Sequence, residues 1–164
     1  MIPELVTCLD RTVAFIFAQL DDLTDEEMIF QPRGFSNHAA WTVGHVVYSC
    51  QAMAGELGAK PWLPEDWESD FGQGSLPGTV VSDRLRKTFL LAALKNSSQR
   101  LRAALLEMRE SDMADPLPDE ESRKTMPTKG HALVQVIAAY TAYHAGQLAA
   151  WRRAIDRKAT GLFL

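Results

Sequence analysis

Residues 138–151 read AAYTAYHAGQLAAW. Small and apolar side chains fill this run, and His144 stands alone among them, with Tyr140 one turn earlier and Gly146 two residues on. A buried imidazole must find a partner for each ring nitrogen, or it costs about 1–3 kcal/mol. His144 is therefore either one ligand of a metal site whose partners lie elsewhere or a hydrogen-bonded core residue. Outward from it, Leu133, Val136, Ile137, Tyr140, His144, Gln147, Leu148 and Trp151 recur at steps of three and four, the inward arc of a helix that Thr128 caps.

The same periodicity places three further long helices upstream. Ile2 to Leu20 opens with Pro3, which suits a first turn, and carries Leu5, Leu9, Val13, Ile16, Phe17 and Leu20 as one stripe. Thr24 and Glu27 have capping-box spacing for a short helix that Pro32 closes. A second long helix runs from an Asn37 cap to Gly58, with Trp41, Gly44, His45, Tyr48 and Ala52 on one side. A third begins after a Ser82 cap and runs apolar through Leu85, Phe89, Leu94, Leu101, Leu105 and Met108.

Between the second and third, residues 59–81 mix prolines and glycines with Trp62, Trp67 and Phe71. Loops this long are functional or disordered, and the aromatics favour an ordered excursion. It forms a lid or wall over a cleft, or simply packs on the bundle. Residues 111–127 read as a polar, proline-containing connector. With no convincing strand, the expectation is an all-α four-helix bundle forming one domain over residues 1–164, with a long ordered loop between the second and third long helices.

Composition narrows the partners. Hydrophobic residues at 46% and charged residues at 23% are globular values. A net charge of −4 gives no general attraction to phosphate backbones, so no nucleic acid is expected. The local cluster Arg152, Arg153, Arg157 and Lys158 reads as a solvated helix end. No apolar run reaches the roughly 18 residues of a membrane span. Glu4 and Asp10 oppose a signal peptide, so a soluble, cytoplasmic chain is expected. Cys8 and Cys50 lack CxxC spacing and read as two free, buried thiols.

The chain has 4 histidines. His38 and His131 fall in first turns, where a capping or solvent-facing role is expected. His45 and His144 lie mid-helix on apolar arcs, where two imidazoles can either share a metal ion or each be satisfied locally. Catalytic zinc takes three protein ligands, and no HxxxH, HExxH or CxxC completes a set here. Tyr140, at i,i+4 from His144, can ligate as phenolate, hydrogen-bond a metal-bound water or fill the ligand's space. Gln147 can orient a ring or bind a substrate group. Gly44 and Gly146 cost about 1 kcal/mol each in mid-helix and mark close packing or open space beside the histidines. No GxSxG, P-loop or GxGxxG motif offers other machinery.

NHAAWTVGHVVYSCQ (37–51), TKGHAL (128–133) and YHAGQLAAWRRA (143–154) together resemble the DinB/YfiT-like superfamily, above all through WxxGH and HxGQ. The resemblance covers nearly the whole chain and implies a four-helix bundle holding a divalent ion, zinc or nickel, on three histidines. Residue by residue, His45 and His144 match two ligands, and the third position carries Tyr140. It further implies a metal-dependent transferase that activates a low-molecular-weight thiol, with Gln147 and Tyr140 lining the open side. It also implies a homodimer. The rival is a metal-free binding or scaffold protein that keeps the bundle and a vestigial site, with Trp62 and Trp67 contacting a small-molecule ligand or a second subunit. A third reading is a simple dimerisation module.

Overall fold

The structure is a computed structural model that describes residues 1–158 and 160. Helix α1 spans Ile2–Leu20 with Pro3 in its first turn, and buries Leu5, Leu9, Val13, Ile16 and Leu20 along the expected stripe. Cys8 lies off this stripe and is exposed, so only Cys50 is a buried thiol. Helix α2, Asp25–Met28, is held by the full Thr24–Glu27 capping box.

Helix α3 spans Ala39–Glu56. Its cap is His38, not Asn37: the ring Nδ1 accepts the Trp41 backbone N–H at 3.0 Å. His38 is also buried rather than solvent-facing, and its Nε2–H donates to the Gly78 carbonyl at 2.8 Å. Burial holds its pKa below the ordinary imidazole value, which keeps it neutral beside the positive end of the helix dipole.

The excursion after α3 is ordered and contains helix α4, Trp67–Phe71, whose two terminal aromatics are both core residues. Helix α5 spans Lys87–Glu107. Ser82, the expected cap, instead precedes a single 3-10 turn, Asp83–Leu85, and makes no capping bond. Helix α6, Glu120–Arg123, interrupts the polar connector. Helix α7, Lys129–Leu133, begins where expected, with Thr128 accepting the His131 backbone N–H. It runs into a π-helical segment, Val134–Tyr140, and then into α8, Thr141–Ala154. The fourth long helix is thus composite.

Helix α1 packs on α5 and α8, and α3 packs on the same two, which closes a ring of four long helices. The described residues contain no named strand, only an isolated bridge between Pro116 and Thr128. The all-α bundle is therefore as the residue pattern predicts. Because α3 also carries α4 against its flank, it is buried on nearly all sides, which is why its sequence is apolar all round.

The basic end of α8 is a solvated face only in part: Arg153 and Lys158 are exposed, but Arg152 and Arg157 are engaged. Arg152 is only 1% exposed, and its guanidinium donates to both Asp22 carboxylate oxygens at 2.6 and 3.1 Å and to the Gln19 carbonyl at 2.5 Å. Arg157 pairs with Glu27 at 2.6 Å. These charges tie the end of the chain to α1 and α2. Among the described residues no helix is long and apolar enough to cross a membrane.

Candidate functional site

His45 lies mid-way along α3, where Trp41 stacks on it with ring centroids 4.6 Å apart. Its Nδ1 lies 2.5 Å from the Phe71 carbonyl oxygen. A carbonyl can only accept, so Nδ1 carries the proton and Nε2 presents its lone pair. Phe71 is the last residue of α4, and helix ends leave carbonyls unused by the helix, which frees this one for the histidine. Burial keeps the His45 pKa below the ordinary value, against the opposing effect of the Phe71 bond.

The approach of Phe71 depends on Gly44. A Cβ at position 44 would overlap the Phe71 ring, with Cγ only 2.6 Å away. The same turn of α3 is gripped by Trp67, whose Nε1–H donates to the Gly44 carbonyl at 3.1 Å. Gly44 is thus the close contact expected from its cost in mid-helix. Gly146 is not: a Cβ there would meet nothing within 4 Å.

The lone pair of His45 Nε2 is taken. The Tyr140 hydroxyl lies 2.6 Å from it and donates to it. Burial raises the Tyr140 pKa above the ordinary phenol value, with a smaller contribution from Tyr143, so the proton that makes this bond stays on the oxygen. Tyr140 closes the π segment, whose wide turn Thr141 stabilises by donating its hydroxyl to the Val136 carbonyl at 2.7 Å. Turns of this kind recur at functional sites.

His144 completes the group. Its ring stands edge-on to Tyr140 at 4.5 Å and to His45 at 5.0 Å between centroids. Its Nδ1 donates to Gln147 Oε1 at 2.7 Å, and Gln147 in turn donates to the Tyr143 hydroxyl at 2.9 Å. Gln147 therefore orients a ring, one of the two roles open to it. His144 Nε2 is buried and has no partner among the described residues. Burial pushes its pKa down to about 4, the Gln147 bond opposing and the charge of His45 assisting.

The structure thus brings His45, Tyr140 and His144 together, with Gln147 behind them. Trp62 sits elsewhere: its indole N–H donates to Ser97 on α5 at 2.9 Å, and Arg100 covers its ring. His131 is exposed and its ring bonds to Thr128.

A cleft of about 390 Å³ opens beside His45 and Tyr140. One wall is the face of α3 that carries Ser49, Ala52 and Met53; Ala132 and Val136 face it, and Leu117 and Met126 of the connector complete it. His144, Gln147 and Trp62 do not border it. Tyr48 does, and burial together with a hydrogen bond to Glu68 pushes its pKa up to about 12. Cleft residues Glu56, Gln73 and Met126 were not singled out by the residue pattern. For Glu56 a signal existed, since it follows His45, Ser49 and Ala52 on one helical face at steps of four, three and four.

The donor set does not match a three-histidine centre. Two imidazoles are present, one lone pair is occupied by a phenol, and the phenol's own ionisation is disfavoured. Among the described residues no group of three His, Cys, Asp or Glu side chains could hold a metal ion.

Fold and site together define an all-α bundle protein with a histidine–tyrosine pair beside a cleft between its second and fourth long helices. The chain belongs to the DinB superfamily, whose pattern matches residues 5–148. It is also similar in fold to a crystal structure of a conserved protein from Enterococcus faecalis. That likeness has 20% identity and a TM-score of 0.73, covering 94% of this chain and 96% of the other. No curated relative matches the sequence.

Proposed function

We propose that this DinB-superfamily chain is a small-molecule-binding protein whose cleft recognises its ligand through a neutral His45–Tyr140 pair, without a metal ion. The observation that carries the reading is the Tyr140 hydroxyl on His45 Nε2. In a three-histidine centre that lone pair would point at the ion; here a proton donor satisfies it inside the chain. The pair is adaptable toward a ligand. A ligand N–H or O–H can replace the phenol on Nε2, which releases the Tyr140 hydroxyl to donate to a ligand acceptor. The Phe71 carbonyl holds the imidazole in the tautomer this exchange needs. The apolar walls supply burial, and a volume near 390 Å³ falls within the range of small-molecule pockets.

The test is a ligand-observed NMR screen of small amphipathic compounds against the tag-free protein, repeated with EDTA. Hits that survive EDTA and weaken in Tyr140→Phe support the reading. Hits that EDTA abolishes oppose it.

A second reading, metal-dependent thiol transfer, draws support from His144 Nε2, a buried lone pair with no partner among the described residues. There His45 and His144 would hold the ion, and Tyr140 would have to give up a proton that burial holds on it.

A further inference from the structure

The cleft is chemically lopsided along its length. At one end stand His45 and Tyr140, both neutral. At the other stands Glu56, the last residue of α3. Eleven residues separate His45 from Glu56, about 16 Å along a helix axis, and the accumulated rotation returns them to one face. Met53 and Met126, which are apolar and deformable, also line the cleft.

Among the described residues, Glu56 is the one acidic side chain bordering the cleft, and no lysine or arginine borders it. Its Oε2 is buried and has no hydrogen-bond partner among the described residues. A buried carboxylate oxygen without a partner is a cost that native chains rarely leave standing. The site also faces the wrong end of its helix. Glu56 closes an 18-residue α-helix, where the backbone carbonyls already concentrate negative potential, so a carboxylate there is unfavourable by itself. Both features are relieved by the same event, the arrival of a positive charge in the cleft.

We propose that the cleft is built for an organic ammonium: a cationic head on Glu56 and an apolar body against Met53 and Met126. The inference rests on the small-molecule-binding reading above and specifies the ligand's chemical class. An ammonium carries several donors on a compact charge, which suits a carboxylate with an unused oxygen. A bare divalent cation is not favoured at Glu56, since among the described residues no second acidic ligand borders the cleft.

The experiment uses three isosteric probes, 4-phenylbutylammonium, 4-phenylbutan-1-ol and 4-phenylbutyrate, titrated into the full-length protein and read at the methionine methyl resonances. Shifts at Met53 and Met126 locate binding in the cleft. The ammonium is expected to bind about tenfold tighter than the alcohol, and the butyrate weakest. Glu56→Gln should bring ammonium and alcohol to equal affinity, while Glu56→Asp, which keeps the charge, should retain the preference. Equal binding of ammonium and alcohol by the parent would overturn the cationic assignment and leave the cleft reading intact, as would a preference for the butyrate. If no probe moves the Met53 and Met126 methyls, the small-molecule-binding reading fails, and this inference with it.

Discussion

Lowering the pH should unfold this protein through His144 before its carboxylates take over. The folded ring is 4% exposed, and its pKa is held near 4, against an ordinary value of 6.5. A depressed folded pKa means that the native state resists protonation. The stability it represents is present above pH 6.5, where the ring is neutral in both states. That stability is lost as the pH falls through 6.5 toward 4, where the unfolded chain takes up a proton that the folded chain refuses. The full difference is about 3 kcal/mol, of which about 2 kcal/mol is gone by pH 5.

His38 and His45 add to the same loss, since burial depresses both. Carboxylates such as Asp22 and Glu27 are held below their ordinary values by Arg152, the Thr24 backbone and Arg157, so they contribute at lower pH. The assay is urea denaturation at pH 7.5, 6 and 5 for the parent and for His144→Asn, which cannot titrate. The parent should lose about 2 kcal/mol more than the variant between pH 7.5 and 5. Parallel losses in the two proteins, or an NMR-titrated His144 pKa near 6.5, would refute the reasoning.

Other consequences follow from the same geometry. Gly44→Ala gains about 1 kcal/mol of helix propensity but forces a methyl into the Phe71 ring at a cost of about 1–3 kcal/mol. A net loss of stability, with a changed His45 Nδ1–H resonance, is expected by urea denaturation and NMR; an unperturbed His45 would oppose the coupling. Tyr140→Phe removes the donor on His45 Nε2 and should cost about 1 kcal/mol in thermal or chemical denaturation. Thr128→Ala should cost about 1 kcal/mol by loss of the α7 cap. Trp62→Phe should lower stability through the lost Ser97 bond and leave affinity for a cleft probe unchanged; weakened probe binding would return Trp62 to the site.

Helix existence was legible because apolar spacing is what burial selects. Leu5, Leu9, Val13, Ile16 and Leu20 had one reading only, and so did the Thr24–Glu27 box. Boundaries were less so. Asn37 and His38 both have side chains able to accept a backbone N–H, and it is the cover from Gly78 that makes His38 the cap. The π segment left no trace in the pattern, because apolar steps of four suit either helix type. Arg152 looked like a surface charge since its partners, Asp22 and the Gln19 carbonyl, lie more than a hundred residues away.

At the site, the resemblance and the spacing together single out His45, Tyr140 and His144. What they could not supply is the backbone carbonyl of Phe71, which has no side-chain signature. It nevertheless sets the tautomer on which the Tyr140 bond depends.

The central claim is that Tyr140 replaces a metal ion as the partner of His45. Calorimetric titration of Zn²⁺ and Ni²⁺ into tag-free parent and Tyr140→His proteins tests it most directly, with the His45 and His144 ring resonances followed in parallel. No stoichiometric binding by the parent is expected, and one tightly bound ion in Tyr140→His with both rings shifted. One equivalent bound tightly by the parent, with His45 and His144 shifted, would contradict it.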